Sequence, residues 1–293
     1  MKVAIYGRLV PKDTIPSVQE LIDLLYKKNI RFIIFDEFFP HLETIITFNN
    51  QPLLFSRKEN ITQLEIDFIL SLGGDGTILD TVSIVRDSNI PIVGINIGRL
   101  GFLATIGKEE IAYCLDALEK NTYTTEERTL LHLDSNIKLF EGNNFALNDV
   151  TIHKKDSSSM ITIHVFINGE FMMSYWADGL IISTPTGSTG YSLSCGGPII
   201  FPSSGNFLIT PVAPHNLNIR PIVVSDESVI AIEVEGRSEH FLVSVDSRSE
   251  TINSSVQLAV RKEKFTVALL RLHETNFLDT LRNKLGLGVD KRN

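Results

Sequence analysis

A largely apolar run, Ile66-Asp67-Phe68-Ile69-Leu70-Ser71-Leu72, leads directly into Gly73-Gly74-Asp75-Gly76, and Thr77-Ile78-Leu79-Asp80-Thr81-Val82 then takes up helical spacing. That order dictates a buried strand, a glycine turn and a helix, the repeating unit of parallel α/β sheets. Glycines at such a junction let backbone N–H groups approach a phosphate closely, helped by the positive end of the helix dipole. A plain phosphate cradle would exclude a carboxylate, because like charges repel. Asp75 therefore points to chemistry: a base facing a hydroxyl, or a carboxylate answering a metal carried on the phosphates. Asp-Gly is also a common pair in tight turns, so the tetrad alone leaves that second reading open.

The surrounding pattern extends the unit. Over the first 125 or so residues, strand candidates at 2–6, 31–35, 66–72 and 92–97 alternate with helix candidates at 17–28, 77–86 and 108–119. Alternation of this kind predicts a doubly wound parallel sheet. The stretch 38–60 reads as a connection or lid. Near Arg128 the pattern changes to dense short strands with polar turns, beginning with 130–140, 145–153, 161–167 and 171–176 and ending with 256–261 and 265–270. Asn168-Gly169 separates two of these as a hairpin turn should. Helical character returns only at 276–285. The expectation is an N-terminal Rossmann-like α/β domain over 1–126, a C-terminal β-rich, sandwich-like domain over 127–271, and a helix in 272–293 that packs back on the first.

Composition narrows the function class. The chain has 293 residues, 43% of them hydrophobic and 21% charged, enough for two domains with real cores. A net charge of −8 argues against a nucleic-acid partner, which selects a basic face. An anionic substrate would then need backbone amides, a few local cations or a divalent ion. Cys114 and Cys195 stand far apart, with neither a pairing framework nor metal-ligand spacing. The seven histidines show no zinc spacing either. With no signal segment at the start and no apolar run near the ~20 residues of a membrane span, cytoplasm is the expected location.

Three further segments carry chemical character. Gly94-Ile95-Asn96-Ile97-Gly98-Arg99-Leu100-Gly101-Phe102 follows a strand; its glycines leave room for a ligand, and Phe102 could stack on a base or ring. Turn glycines beside a core aromatic fit the same letters. Asn148-Asp149 is a polar pair inside an apolar strand, able to donate to and accept from ribose hydroxyls, or to make an ordinary turn. Asp178-Gly179-Leu180-Ile181-Ile182-Ser183-Thr184-Pro185-Thr186-Gly187-Ser188-Thr189-Gly190-Tyr191-Ser192-Leu193-Ser194 sets a run of hydroxyls on a Pro/Gly backbone, suited to an adenosine and its ribose. No Walker lysine follows a glycine loop, and neither the dinucleotide fingerprint nor the protein-kinase signatures occur.

In this order the segments resemble the NAD kinase family over essentially the full chain. The match continues through Arg220-Pro221-Ile222-Val223-Val224 to Leu278-Asp279-Thr280-Leu281-Arg282-Asn283-Lys284-Leu285-Gly286. The resemblance implies transfer of the ATP γ-phosphoryl group to the 2′-hydroxyl of the adenosine ribose of NAD, with Mg²⁺ or another divalent cation accompanying ATP. It implies Asp75 as general base, Gly76 beside it, and Gly73 and Gly74 at the phosphates. Phe102 would meet the adenine end, and Asn148 and Asp149 would hold ribose hydroxyls. Thr186, Thr189, Gly190, Tyr191 and Ser194 would wall the adenosine pocket, and Asp178 would reach the carboxamide, often across a subunit contact. A homodimer or homotetramer with NAD and ATP as its small-molecule partners follows, without nucleic acid or membrane.

The chain departs from the family pattern at four places. Asp149 stands where Glu is more frequent, Gly190 and Cys195 where Ala is usual, and Asp246-Ser247-Arg248 where Asp-Gly-Gln is common. Two competitors share the tetrad or the scaffold. A lipid kinase would want a broad apolar face rather than the hydroxyl-rich run, and a non-catalytic dinucleotide sensor would have no need of Asp75.

Overall fold

The computed structural model describes residues 1–98, 101–155, 159–237, 240–272 and 276–286. The chain divides into two compact units, Met1–Glu127 with Val267–Asn293, and Arg128–Thr266.

In the first unit, β1 (Lys2–Gly7), α1 (Ile15–Lys27) and β2 (Arg31–Phe35) are followed by α2 (Phe39–Leu42) and β3 (Leu53–Phe55). The stretch expected as connection or lid thus contains a one-turn helix and a strand paired parallel to β2. Next come β4 (Phe68–Leu72), α3 (Asp75–Val85), β5 (Ile92–Asn96), β6 (Ile106–Gly107) and α4 (Ile111–Lys120). The parallel order is β5-β4-β1-β2-β3. Strand order therefore reverses between β1 and β4, where Gly7 lies opposite Leu72. In doubly wound sheets, ligands bind outside the carboxyl ends of the strands at that reversal. The diglycine turn leaves β4 there. β1, β4 and β5 are apolar and buried along nearly their whole length, as strands covered on both faces must be. α1 buries Val18, Leu21, Ile22 and Leu25 at helical spacing.

β7 (Thr124–Ser135) carries the chain into the second unit. There β8 (Phe145–Ala146), β9 (Asp149–Lys154), β10 (Ile161–Ile167), β11 (Glu170–Ala177) and β12 (Gly179–Ser183) precede α5 (Tyr191–Ser194). β13 (Asn206–Val212), β14 (Ile222–Ser225), β15 (Ile230–Glu235), β16 (His240–Val245), β17 (Arg248–Asn253) and β18 (Leu258–Arg271) complete it. β18 returns the chain to the first unit, where α6 (Phe277–Leu285) follows. One antiparallel sheet runs β14-β13-β12-β9-β16-β17, and β10 pairs with β11 and β15 in another. Their inner faces share one core, including Val150, Ile163, Tyr175, Ile182, Phe207, Ile232 and Val243. This is the sheet-on-sheet burial that alternating apolar positions require. The hairpin at Asn168-Gly169 has both residues at positive φ, 51° and 86°, as a two-residue turn demands.

Three expected strand boundaries change. The strand 145–153 is two pieces, broken at Leu147-Asn148, so that Asn148 is not inside a strand. The runs 256–261 and 265–270 form the single strand β18. Its charged middle stays in the sheet because Arg261 pairs with Asp134 at 2.7 Å and Lys262 with Asp226 at 2.7 Å. The strand 130–140 ends at Ser135, and Phe140–Gly142 is a 3-10 turn.

Candidate active site

Asp75 is the first residue of α3, with Gly74 as an extended N-cap. The first amides of a helix lack intrahelical acceptors and point outward. A Cβ added at Gly74 or Gly76 would meet nothing within 4 Å, so both flank open space. The side chain of Asp75 is tied to the loop after β5. Its Oδ2 accepts the Phe102 N–H at 2.8 Å, and its Oδ1 accepts those of Leu103 and Ala104 at 2.9 and 3.1 Å. A Cβ on Gly101 would lie 1.8 Å from Asp75 Oδ1, so any larger residue there would have to displace the carboxylate. The loop is braced from behind. The buried Arg271 donates to Thr105 Oγ1 at 2.6 Å and to the Phe102 carbonyl at 3.4 Å, while its Nε pairs with Glu126. Gly73, Gly74, Asp75, Gly76 and Phe102 are thus gathered in the first unit; Arg99 and Leu100 of the same loop lie outside the described residues.

Beside the diglycine, at the end of β1, Arg8 holds Asp80 at 2.5 Å. Asp80 is buried and also accepts the Tyr6 hydroxyl, and Arg57 donates to that hydroxyl at 3.0 Å. Burial, with Asp80 second, pushes the Tyr6 phenol up to about 12.

The remaining expected residues lie in the second unit. Asn148 leaves the end of β8 and Asp149 opens β9, with Asp149 paired opposite Ser183 in the β9–β12 ladder. The Asn148 carbonyl accepts the Thr184 N–H at 2.9 Å. The Thr184 hydroxyl reaches the Leu147 carbonyl at 2.5 Å, locking the two segments together. The hydroxyl run mostly folds itself. Thr186 accepts from the buried Arg128, Thr189 donates to the Thr186 carbonyl, Ser188 to that of Pro185, and Ser192 bonds Thr210. Ser183 Oγ is buried without a partner among the described residues. Gly190 follows this turn, and Tyr191 and Ser194 beyond it are exposed. The Tyr191 ring stacks on His153 at 5.7 Å. Asp178 is half-buried and ion-paired with Lys154 at 2.6 Å.

The electrostatic outlier of this unit is Asp149. Burial first, then the charge of Asp246, pushes its carboxyl up to about 7. Burial also lowers the His153 pKa, with Asp178 opposing. Among the described residues, no three His, Cys, Asp or Glu side chains converge as metal ligands. Sequence reasoning passed over Arg128, Lys154 and Arg271, and read His153 only as a surface or packed histidine without zinc spacing. The two arginines carry no local signal, because each is defined by partners 58 and 166 residues away.

Comparison with known proteins supplies the family. Residues 12–123 match the ATP-NAD kinase N-terminal domain and residues 147–272 the ATP-NAD kinase C-terminal domain. The NAD kinase of Cytophaga hutchinsonii is 50% identical over 294 residues, and that of Flavobacterium psychrophilum 45% over 295, each alignment covering 100% of both chains. In fold, the chain is similar to yeast NADH kinase complexed with NADH, with a TM-score of 0.87 at 24% identity over 99% of this chain and 88% of that one. It is similar also to an NAD kinase from Archaeoglobus fulgidus in complex with ATP, with a TM-score of 0.70 at 24% identity over 98% of each. On full-length relatives of this identity, with both domain models in order, the chain belongs to the ATP-NAD kinase family.

Proposed function

We infer that Asp75 is the base of the family reaction in this chain. That reaction is phosphorylation of NAD by ATP: the γ-phosphoryl group passes to the 2′-hydroxyl of the adenosine ribose, giving NADP and ADP. The O2′–P bond forms as the bond from Pγ to the bridging oxygen breaks. The bonding pair leaves with ADP, and the hydroxyl proton goes to the Asp75 carboxylate. Phosphoryl transfer asks a protein mainly for alignment and charge compensation, so the proton can move late.

The observation that carries this reading is the triple N–H grip on Asp75 at the sheet's order reversal. A carboxylate has roughly four acceptor directions. Three are taken by one loop, which fixes the group and leaves one for a substrate hydroxyl. The open space at Gly74 and Gly76, beside amides at the start of α3, suits a triphosphate. Gly73, Gly74 and Gly76 are assigned to it.

In the second unit, Asn148 and Asp149 are assigned to ribose hydroxyls. Burial raises the Asp149 carboxyl to about 7, and in its protonated form it can donate as well as accept. Phe102 is assigned to the adenine end. Thr186, Thr189, Gly190, Tyr191 and Ser194 are assigned to the adenosine, and Asp178 to the carboxamide. Mg²⁺ is assigned to the nucleotide substrate rather than to a protein cage, in keeping with the donor set; when bound it neutralises triphosphate charge. A cytoplasmic homodimer or homotetramer is the expected form, and among the described residues no helix is long and apolar enough to cross a membrane.

The test is incubation of purified protein with ATP, Mg²⁺ and NAD, coupled to an NADP-specific dehydrogenase. Sustained NADP formation is expected. Dinucleotide binding without turnover would instead make the chain a sensor.

A further inference from the structure

The turn Asp246-Ser247-Arg248 between β16 and β17 takes no part in the chemistry above, yet its two charged side chains close on one segment. The half-buried Asp246 accepts three consecutive amides on its carboxylate: Leu147 N–H at 2.8 Å on Oδ2, and those of Asn148 and Asp149 at 2.8 and 3.2 Å on Oδ1. Its own amide donates to the Asp149 carbonyl at 2.9 Å. Arg248 works on the same segment with the opposite sign, donating to the carbonyls of Asn143 and Phe145 at 2.5 and 2.6 Å. It also lies over the Phe145 ring at 5.6 Å.

Three amides pointing to one side cannot continue a strand, which is why β8 and β9 are separate and why Asn148 is turned out of the ladder. Asp246 itself sits at φ 51°, a conformation tolerated mainly by Asn, Asp and Gly. The backbone is thus bent to bring this carboxylate to those amides. Charge-assisted bonds of this kind are about twice as strong as neutral ones.

We propose that Asp246, seconded by Arg248, is a positioning residue for NAD: it fixes the 147–149 backbone and thereby the direction of the Asn148 and Asp149 side chains. This rests on the assignment of Asn148 and Asp149 to the ribose.

The test uses Asp246→Gly and Asp246→Asn in the full chain. Both residues accept positive φ, so each removes charge without forbidding the turn. Asp246→Gly is expected to raise KM for NAD about tenfold or more, as loss of charged hydrogen bonds implies, with KM for ATP within about twofold. Asp246→Asn keeps one acceptor oxygen and is expected to restore part of the loss; if the glycine variant does not fold, the asparagine variant is read alone. A double-mutant cycle with Asn148→Ala gives the route, because residues acting through one another are non-additive. Strong non-additivity supports the proposal. An unchanged KM for NAD in folded Asp246 variants, or fully additive effects, overturns it. If Asn148→Ala alone leaves KM for NAD unchanged, the ribose assignment itself has failed.

Discussion

Asp149→Asn should flatten the pH dependence of stability. In the folded chain the Asp149 carboxyl is pushed from an ordinary 3.8 to about 7, first by burial and then by Asp246. Tyr191 and Cys195 lie near it as well; burial raises both their pKa values, and the Asp149 charge adds to each. Between about pH 4 and 7 the folded state holds this proton while the unfolded chain has released it. More protons in the native state mean that stability falls as pH rises through that window. One proton costs about 1.4 kcal/mol per pH unit, so the wild type loses about 4 kcal/mol across the window at this site. Asparagine does not titrate. Urea denaturation of both proteins from pH 4.5 to 8 should show the variant gaining on the wild type by several kcal/mol as pH rises, whatever the offset at the acidic end. Curves that stay parallel within about 1 kcal/mol would refute the burial argument, since groups not coupled to this site cancel in the difference.

Three further outcomes follow from the geometry. Gly101→Ala places a methyl on the Asp75 carboxylate. The variant should lose about 1–3 kcal/mol in thermal or denaturant unfolding and most of its turnover in the coupled assay. Burial raises both thiols, but Cys114 is fully buried and pushed up to about 12, whereas Cys195 is only half-buried beside Tyr191. A maleimide should label Cys195 and spare Cys114 in the native protein, with NAD slowing the reaction, as peptide mass spectrometry would show. Removal of divalent cations with EDTA should abolish turnover, and added Mg²⁺ restore it, while the thermal midpoint without nucleotide stays put, since the described residues build no metal cage.

The first unit was readable because its elements are local. β1, β2, β4 and β5 are continuous apolar runs, and the helices between them keep a regular stripe, so each element announces itself within a few residues. The tetrad announced the junction as well. What the letters hid was long-range. Asn148-Asp149 lies in an apolar stretch and reads as strand, but Asp246, 98 residues on, takes its amides. The charged middle of β18 reads as a turn until Asp134 and Asp226 neutralise it. The hydroxyls of 184–192 read as ligand groups, but the letters do not show that those of Thr184, Ser188, Thr189 and Ser192 also bond within the second unit. Three-residue β3, with Leu53 and Leu54 exposed and Phe55 buried, is too short for a pattern to be seen, and pairs parallel to β2.

Turnover of Asp75→Asn, measured beside its affinity for NAD, goes most directly to the root of this account. Substitution should lower kcat by about 10²–10⁴, the usual worth of a positioned base, with the dissociation constant for NAD changed by no more than a few-fold. A folded variant that turns over at close to the wild-type rate would show that the side chain held by the 102–104 amides takes no proton in the reaction.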